Sequence, residues 1–257
     1  GAFLVLSISS YYFLKKRFLT FAKRSFRIGL VMATISLLLQ GISGDSSAKG
    51  VAKNQPEKLA AIEGIYKTEK STPLTIIGLV NEKEEKIDYQ IALPGFLSFL
   101  VHGNFETPVQ GLDQFPKENW PPVKVVFHTY HLMIIFWCLM VLVALLCIYY
   151  VRKGNLISKR WLLKIVVASV AFPQIANQLG WCTAEVGRQP WLVYKILRTS
   201  EGVSTAITSS HVVGSLIMFS VIYTFLLFLF LYLLHMKIVD GPEEETTFLY
   251  KDQPPSS

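Results

Sequence analysis

A glutamate and an arginine stand at the end of a long apolar run, in the segment Trp181–Trp191 (WCTAEVGRQPW). Glu185 and Arg188 lie about one helical turn apart, and a tryptophan flanks them on each side. Ionisable groups at membrane depth are costly, and they are tolerated only with a partner. We therefore expect Glu185 to mark a place where a cation, a metal or a proton is bound.

Polar side chains recur at helical spacing along this run and form one stripe on an otherwise apolar helix. The stripe could hydrogen-bond to neighbouring helices, as is common in membrane proteins. Alternatively, it could line a buried cofactor or a proton path ending at Glu185. The carboxylate of Glu185 could then ligate a hard metal centre, while Arg188 pairs with an anionic group such as a haem propionate. The members of the stripe are Gln174, Asn177 or Gln178, Trp181, Glu185 and Arg188.

Two histidines and a methionine on the preceding apolar run form a second group of candidate ligands. His128 and His131 share one face with Lys124, whereas Met133 lies about 200° around the helix from His131. His131 and Met133 should therefore not bind one iron from the same helix. Methionine and histidine are known haem ligands. However, a methionine in an apolar helix more often packs, and such histidines more often form hydrogen bonds at an interface.

Two further polar groups leave alternatives open. On the last apolar run, the hydroxyl residues commonly bond to backbone carbonyls, or else His211 could belong to a proton path. In the polar segment between the second and third runs, Lys58 and Glu63 lie on a short amphipathic helix. A solvated surface helix is the default there, although the two side chains could pair or face a polar ligand. The face on the last run comprises Ser204, Thr208, His211 and Ser215.

The composition indicates an integral membrane protein. Of 257 residues, 51% are hydrophobic, and several apolar stretches reach the roughly 20 residues that a transmembrane helix needs. The net charge of +7 would suit a nucleic-acid-binding protein, but the basic residues cluster beside apolar runs, as in cytoplasmic loops. We therefore expect no nucleic-acid partner. The three cysteines have no metal-ligand spacing and predict no disulfide. The basic clusters are Lys15, Lys16, Arg17, Lys23, Arg24 and Arg27, and Arg152, Lys153, Lys159, Arg160 and Lys164.

These runs predict an all-α, polytopic transmembrane bundle of about five helices, the first of them truncated. The opening Gly1–Leu14 resembles the second half of a transmembrane helix, so we expect a fragment or one part of a split subunit. Residues 44–122 would form a loop on the far side of the membrane with a strand-like stretch over Lys86–Leu93, and residues 237–257 a polar cytoplasmic tail. The complete helices are expected over Phe26–Ile42 within residues 1–43, and over Val123–Tyr150, Trp161–Glu185 and Val203–Met236 within residues 123–236.

Together these motifs resemble subunit I of the cytochrome bd-type quinol oxidases. The pattern Trp181-x-x-x-Glu185-x-Gly187-Arg188-Gln189-Pro190-Trp191 is similar to that family's signature. Gly44-Asp45 followed by Lys58–Glu63 (KLAAIE) resembles its periplasmic quinol-binding loop, and Ala22–Phe26 (AKRSF) fits the helix entry before it. The resemblance covers nearly the whole chain but corresponds only to the carboxyl-terminal portion of such a subunit.

The resemblance implies an enzyme that oxidises a membrane quinol and reduces dioxygen to water, generating a proton-motive force without pumping. By position, Met133 matches the axial ligand of a low-spin haem b, and Glu185 matches the glutamate at a high-spin haem b. A third haem would be haem d or another haem b. Trp181 and Arg188 match residues in the haem environment, where His131 replaces the arginine usual two residues before the axial methionine. An uncharged His131 would pair more weakly with a propionate.

The resemblance also implies a quinol site and a set of partners. Lys58 and Glu63 match loop residues linked to quinol oxidation, in which Glu63 would accept a proton from the quinol hydroxyl. Expected partners are subunit II, the missing amino-terminal helices of subunit I, membrane lipid and, as an open option, a small accessory subunit. The protein would lie in the bacterial cytoplasmic (inner) membrane, with the 44–122 loop outside and the carboxyl terminus in the cytoplasm.

Two other interpretations remain open at this point. The chain could be a non-catalytic, truncated membrane protein that binds no haem, because the missing helices would supply histidine ligands of haem d and of the low-spin haem b. A transporter is a weaker choice, although the polar stripe would also suit one.

Overall fold

The computed structural model describes residues 1–202 and 207–242, and most of these residues are helical. The prediction of a helical membrane bundle is confirmed, and the structure also has two small hairpins, one of which contains the strand-like stretch expected over Lys86–Leu93. The hairpins pair β1 (Leu74–Asn81) with β2 (Lys86–Leu93), and β3 (Trp191–Val193) with β4 (Leu197–Arg198), both antiparallel. The helices are α1 (Ala2–Lys15), α2 (Leu19–Asn54), α3 (Pro56–Glu63), α4 (Phe96–His102), α5 (Val123–Arg152), α6 (Arg160–Ala168), α7 (Phe172–Val186) and α8 (Ser209–Asp240).

Four helical stretches in residues 1–202 and 207–242 are long and apolar enough to cross a membrane. They are α2, α5, α8 and the continuous stretch Arg160–Val186, in which a 3-10 turn joins α6 to α7. Helix α1 is also apolar but has only 14 residues. The predicted bounds of the third and fourth helices agree with α5 and with α6–α7 to within two residues. The predicted start of the fifth helix, including Ser204, and the tail from residue 243 lie outside the described residues.

The second helix is longer than the sequence predicted. Helix α2 continues to Asn54 instead of ending at Ile42, so it crosses the expected boundary between residues 43 and 44. The polar extension is a regular helix, in which Lys49 Nζ pairs with Asp45 one turn away at 2.7 Å. The helix ends at Gln55, whose φ of −141° is extended, because a residue before proline avoids the helical conformation.

Two separate hydrophobic clusters hold the chain together. The membrane cluster joins α1, α2, α5 and α6, and its fully buried side chains include Phe26 and Leu162. The loop cluster joins α3, the β1–β2 hairpin and the first turns of α5, and it is centred on Leu112 and Phe127. Helix α3 is therefore fixed on the end of the bundle that carries the loop, which we call the loop end.

Helix α3 confirms the short helix predicted over Lys58–Glu63, but the expectation of a solvated surface helix is wrong. Pro56 supplies the first turn, and Gly64 ends the helix with a φ of 68°, a conformation that favours glycine. A Cβ at Gly64 would lie 2.6 Å from Ile87 Cδ1 of β2. Most of α3 is buried, including Glu63, because Leu59, Ala60, Ala61 and Ile62 of this helix are part of the loop cluster.

Helices α5 and α7 pack side by side and run antiparallel. Thr183 donates a hydrogen bond to Thr129 at 2.8 Å near the loop end. Further along, the rings of Phe136 and Phe172 meet edge to face with centroids 5.6 Å apart. This packing brings the end of α7, and the Glu185 that it carries, beside the start of α5 and close to α3.

Candidate functional site

Lys58 reaches from α3 to the loop end of α7. Its Nζ donates a hydrogen bond to the carbonyl oxygen of Ala184 at 3.0 Å. A Cβ at Gly187 would lie 3.1 Å from Lys58 Cε, so the glycine leaves room for the lysine side chain. Burial and then the charge of Arg188 lower the pKa of Lys58, whereas Glu185 raises it. The structure therefore brings Lys58, Glu185 and Arg188 to one place.

Glu185 and Arg188 pair with each other. The Nη2 of Arg188 donates to the Glu185 carboxylate one turn earlier, and both side chains are partly exposed. Arg188 thus places a cation beside Glu185, which is one of the three partners that the sequence left open for this carboxylate. Among the described residues, neither Arg188 Nε nor Trp191 Nε1 has a hydrogen-bond partner, although both atoms are buried. Two donors are therefore left for an acceptor that residues 1–202 and 207–242 do not supply.

Met133 of α5 packs into a notch on α7. A Cβ at Gly180 would lie only 2.8 Å from Met133 Sδ, so a larger residue there would make the methionine side chain move. The next residue, Trp181, has 66% of its side-chain surface exposed. Gly180 is five residues before Glu185, which is about 7.5 Å along the helix. Met133, Trp181 and Glu185 therefore lie along the same helix pair, with Met133 further from the loop end.

His131 faces away from Met133, as the helical spacing predicted. Its Nε2 lies 2.9 Å from the carbonyl oxygen of Thr75 in β1, and its Nδ1 lies 2.9 Å from that of Phe127. The ring stacks on Phe127 with centroids 4.0 Å apart. Carbonyl oxygens only accept, so a neutral ring can donate to one of them at a time. His131 thus links the β1–β2 hairpin to α5, and its assignment to a haem environment stays a prediction.

Glu63 at the carboxyl end of α3 lies within the loop cluster and does not pair with Lys58. It is 4% exposed, and its Oε2 has no hydrogen-bond partner among the described residues. Burial raises the pKa of this carboxyl group to about 8. Tyr130 of α5 packs on the same cluster and lies within electrostatic range. A carboxyl group with this pKa suits proton transfer near neutral pH.

Glu57 and Tyr194 contribute contacts that sequence reasoning missed. Glu57 is 4% exposed and accepts a hydrogen bond from the Tyr194 hydroxyl, which lies 137 positions away in the sequence. An acidic residue in a first helical turn is common because the helix dipole favours it, so Glu57 gave no signal of burial. Gly180 did carry a usable signal, because a glycine inside an apolar helix often marks close helix packing.

The donor set around α5 and α7 fits a haem better than a bare metal ion. Within residues 1–202 and 207–242, no group of three or more His, Cys, Asp or Glu residues could hold a metal. Met133 offers a thioether, which is a haem ligand. Arg188 offers an Nε that has no partner in the described part of the chain, and guanidinium groups pair well with carboxylates such as propionates. The residues present therefore fit the cofactor that the sequence resemblance implies.

Comparison with known proteins gives a consistent result. Residues 1–242 match the family model described as cytochrome bd terminal oxidase subunit I. Cytochrome bd ubiquinol oxidase subunit 1 of Bacillus subtilis (strain 168) is 31% identical over 255 residues, which cover 95% of this chain and 54% of the relative. Cytochrome bd-II ubiquinol oxidase subunit 1 of Escherichia coli (strain K12) is 28% identical over 308 residues, covering 94% of this chain and 60% of the relative.

A solved structure agrees with the sequence relatives. The bd oxidase from Geobacillus thermodenitrificans matches with a TM-score of 0.84 and 28% identity, over 94% of this chain and 55% of that chain. The chain thus spans about half the length of the relatives it matches. The similarity implies haem cofactors and, with the four apolar spans, a multi-pass protein of the bacterial inner membrane. The chain belongs to the cytochrome bd terminal oxidase subunit I family.

Proposed function

We propose that this chain forms the carboxyl-terminal part of a subunit that oxidises a membrane quinol and reduces dioxygen to water. The observation that carries the proposal is the hydrogen bond from Lys58 to the carbonyl oxygen of Ala184. This bond joins α3, which is expected to serve quinol oxidation, to the end of α7, where Glu185 and Arg188 lie. A quinol oxidised beside α3 would therefore release its electrons next to the residues expected around the haems.

The haem-facing roles rest on the α5–α7 pair. Met133 would be the axial ligand of a low-spin haem b, and Glu185 would lie at a high-spin haem b. Arg188 would hold a propionate through its Nε, which has no partner among the described residues, and Trp181 would lie in the haem environment. A third haem would be haem d or another haem b. When bound, haem iron supplies the one-electron chemistry that links quinol to dioxygen.

The quinol-facing roles rest on α3. Lys58 would orient the quinol through its ammonium group, which already lies beside Arg188 and Glu185. Glu63 would take a proton from a quinol hydroxyl, because its Oε2 has no partner among the described residues and its pKa of about 8 suits reversible protonation. Two quinols would supply the four electrons that convert one dioxygen to two waters.

The expected membrane arrangement turns this chemistry into a proton-motive force without pumping. Basic residues flank one end of the apolar helices, and they favour a cytoplasmic position for that end. The loop end, with α3, would then lie outside, so that quinol protons leave outside while protons for water come from inside. We expect subunit II, the amino-terminal helices of subunit I and membrane lipid as partners, and a small accessory subunit stays an open option.

The direct test is a reduced-minus-oxidised spectrum of the assembled complex that contains this chain. We expect haem b bands and quinol-dependent oxygen consumption from the same preparation. A complex that assembles in the membrane without any haem b signal would contradict the oxidase function and favour a non-catalytic membrane protein.

A further inference from the structure

Two neighbouring side chains attach the first turn of α3 to the last turn of α7 and to the hairpin that follows it. Lys58 bonds to Ala184 at 3.0 Å, and the preceding residue, Glu57, accepts a hydrogen bond from the hydroxyl of Tyr194. Tyr194 belongs to the turn of the β3–β4 hairpin. These contacts leave α3 in different directions, because successive residues point about 100° apart around a helix. Together they fix both the position and the rotation of α3.

We expect the Glu57–Tyr194 hydrogen bond to hold α3 more strongly than the neighbouring ion pair does. Lys195 Nζ lies 3.7 Å from Glu57 Oε1, and the lysine side chain is 60% exposed, whereas that of Glu57 is 5% exposed. At 3.7 Å, with a lysine that is mostly exposed to solvent, this pair contributes little. A hydrogen bond to a buried carboxylate contributes more, and removing the donor leaves the carboxylate with less compensation for its burial.

The β3–β4 hairpin is itself anchored, so Tyr194 is a fixed point and not a loose side chain. Trp191 of β3 pairs with Arg198 of β4, and the Arg198 guanidinium lies 5.1 Å from the centre of the Trp191 ring. Arg198 Nη2 also donates to Asn119 Oδ1 at 2.9 Å. The hairpin is therefore attached to the residues just before α5. Consequently, α3 is held at two places: at the end of α7 through Lys58 and at the β3–β4 hairpin through Glu57.

We propose that Glu57 and Tyr194 are positioning residues whose hydrogen bond holds the first turn of α3 so that Lys58 stays at the loop end of α7. The consequence for catalysis rests on the proposed function, in which Lys58 orients the quinol. The geometric part does not depend on it. Neither residue contacts a reacting atom in this account, and both act through Lys58.

The test uses the assembled membrane complex and a double-mutant cycle. Tyr194→Phe removes only the donor hydroxyl, Glu57→Ala removes the acceptor, and the double variant removes both. Tyr89→Phe is the matched control, because Tyr89 is 86% exposed on the other hairpin. Hydrogen exchange of the α3 backbone amides reports local opening, and quinol oxidation kinetics and the haem spectrum are measured on the same samples.

We expect Tyr194→Phe to speed exchange in α3 by about tenfold, the effect of losing a hydrogen bond to a charged acceptor. The double variant should be no faster than Glu57→Ala alone, because interacting residues are not additive. The control should leave exchange unchanged. In Tyr194→Phe, the KM for quinol should rise by a larger factor than kcat falls, and the haem spectrum should stay intact.

Two results would overturn the proposal. Unchanged α3 exchange in Tyr194→Phe would show that the bond does not hold the helix. Additive effects in the double variant would show that the two residues act separately. Faster exchange with an unchanged KM for quinol would support the positioning role but contradict the quinol role of Lys58, so failure of the proposed function is distinguishable from failure of this inference.

Discussion

The two sides of α5 near the loop end differ in the polar groups that lie there. On the side that faces α7, Lys58 and Arg188 bring charge together, and Arg188 Nε has no partner among the described residues. On the side that faces the β1–β2 hairpin, both nitrogens of His131 lie 2.9 Å from backbone carbonyl oxygens, and Glu63 is 4% exposed with no partner for its Oε2 among the described residues. Helix α3 lies across both sides. The difference separates a charged site suited to a bound anionic cofactor from a buried carboxyl group suited to holding a proton.

The largest effect is expected on the α7 side, from Met133→Leu. The two side chains are similar in volume, so the fold should change by less than about 1.5 kcal/mol, yet the thioether is lost. We expect the low-spin haem b bands to disappear from the difference spectrum. The control is Met140→Leu, which changes a buried methionine of the membrane cluster on the same helix. A normal low-spin signal in Met133→Leu would remove Met133 as the ligand.

On the hairpin side, Glu63→Gln should slow quinol oxidation by about 100-fold while the haem content stays intact, because a general base contributes at least that much. The amide keeps the shape of the side chain but cannot take up a proton. Glu69→Gln is the control, since Glu69 is exposed in the same loop. Oxygen consumption with quinol as donor is the measurement. Unchanged turnover in Glu63→Gln would exclude its role as proton acceptor.

The raised pKa of Glu63 also predicts how the stability of the loop depends on pH. The folded protein holds this proton up to about pH 8, whereas an ordinary glutamate loses it near 4.5. Between these values the unfolded chain binds fewer protons than the folded one, so the free energy of unfolding falls as pH rises and levels off above about 8. Hydrogen exchange of the loop amides across this range should show the decline. Glu63→Gln should remove the part of this decline in stability that Glu63 causes. An identical decline in that variant would contradict the assignment of the pH dependence to Glu63.

The smallest effect is expected from His131→Phe. Phenylalanine keeps the stacking on Phe127 but leaves the carbonyl oxygen of Thr75, a buried residue, without its partner. Losing such a bond costs about 1–3 kcal/mol, so exchange in β1 should speed up. A shifted low-spin haem band in this variant would also support the predicted place of His131 in the haem environment, and an unchanged band would contradict it.

The sequence predicted the positions of the helices more reliably than the contacts between distant residues. Helix α5 begins directly after Pro122, and α3 begins at Pro56, because proline marks helix starts in the sequence itself. The opposite directions of His131 and Met133 also followed from helical spacing. The burial of α3 did not, because Lys58 and Glu57 find their partners 126 and 137 positions away. Local periodicity contains no information about such distant pairing.

The most direct test of the central claim is the rate at which quinol reduces haem b in a Lys58→Met complex. Methionine keeps most of the length of the side chain but cannot donate to the Ala184 carbonyl. Lys53→Met, an exposed lysine at the end of α2, is the control. We predict that haem reduction by quinol slows by about tenfold or more, the loss expected for a charged hydrogen bond, with an unchanged haem spectrum. Haem reduction at the wild-type rate in Lys58→Met would contradict the claim that α3 and the end of α7 form one functional site.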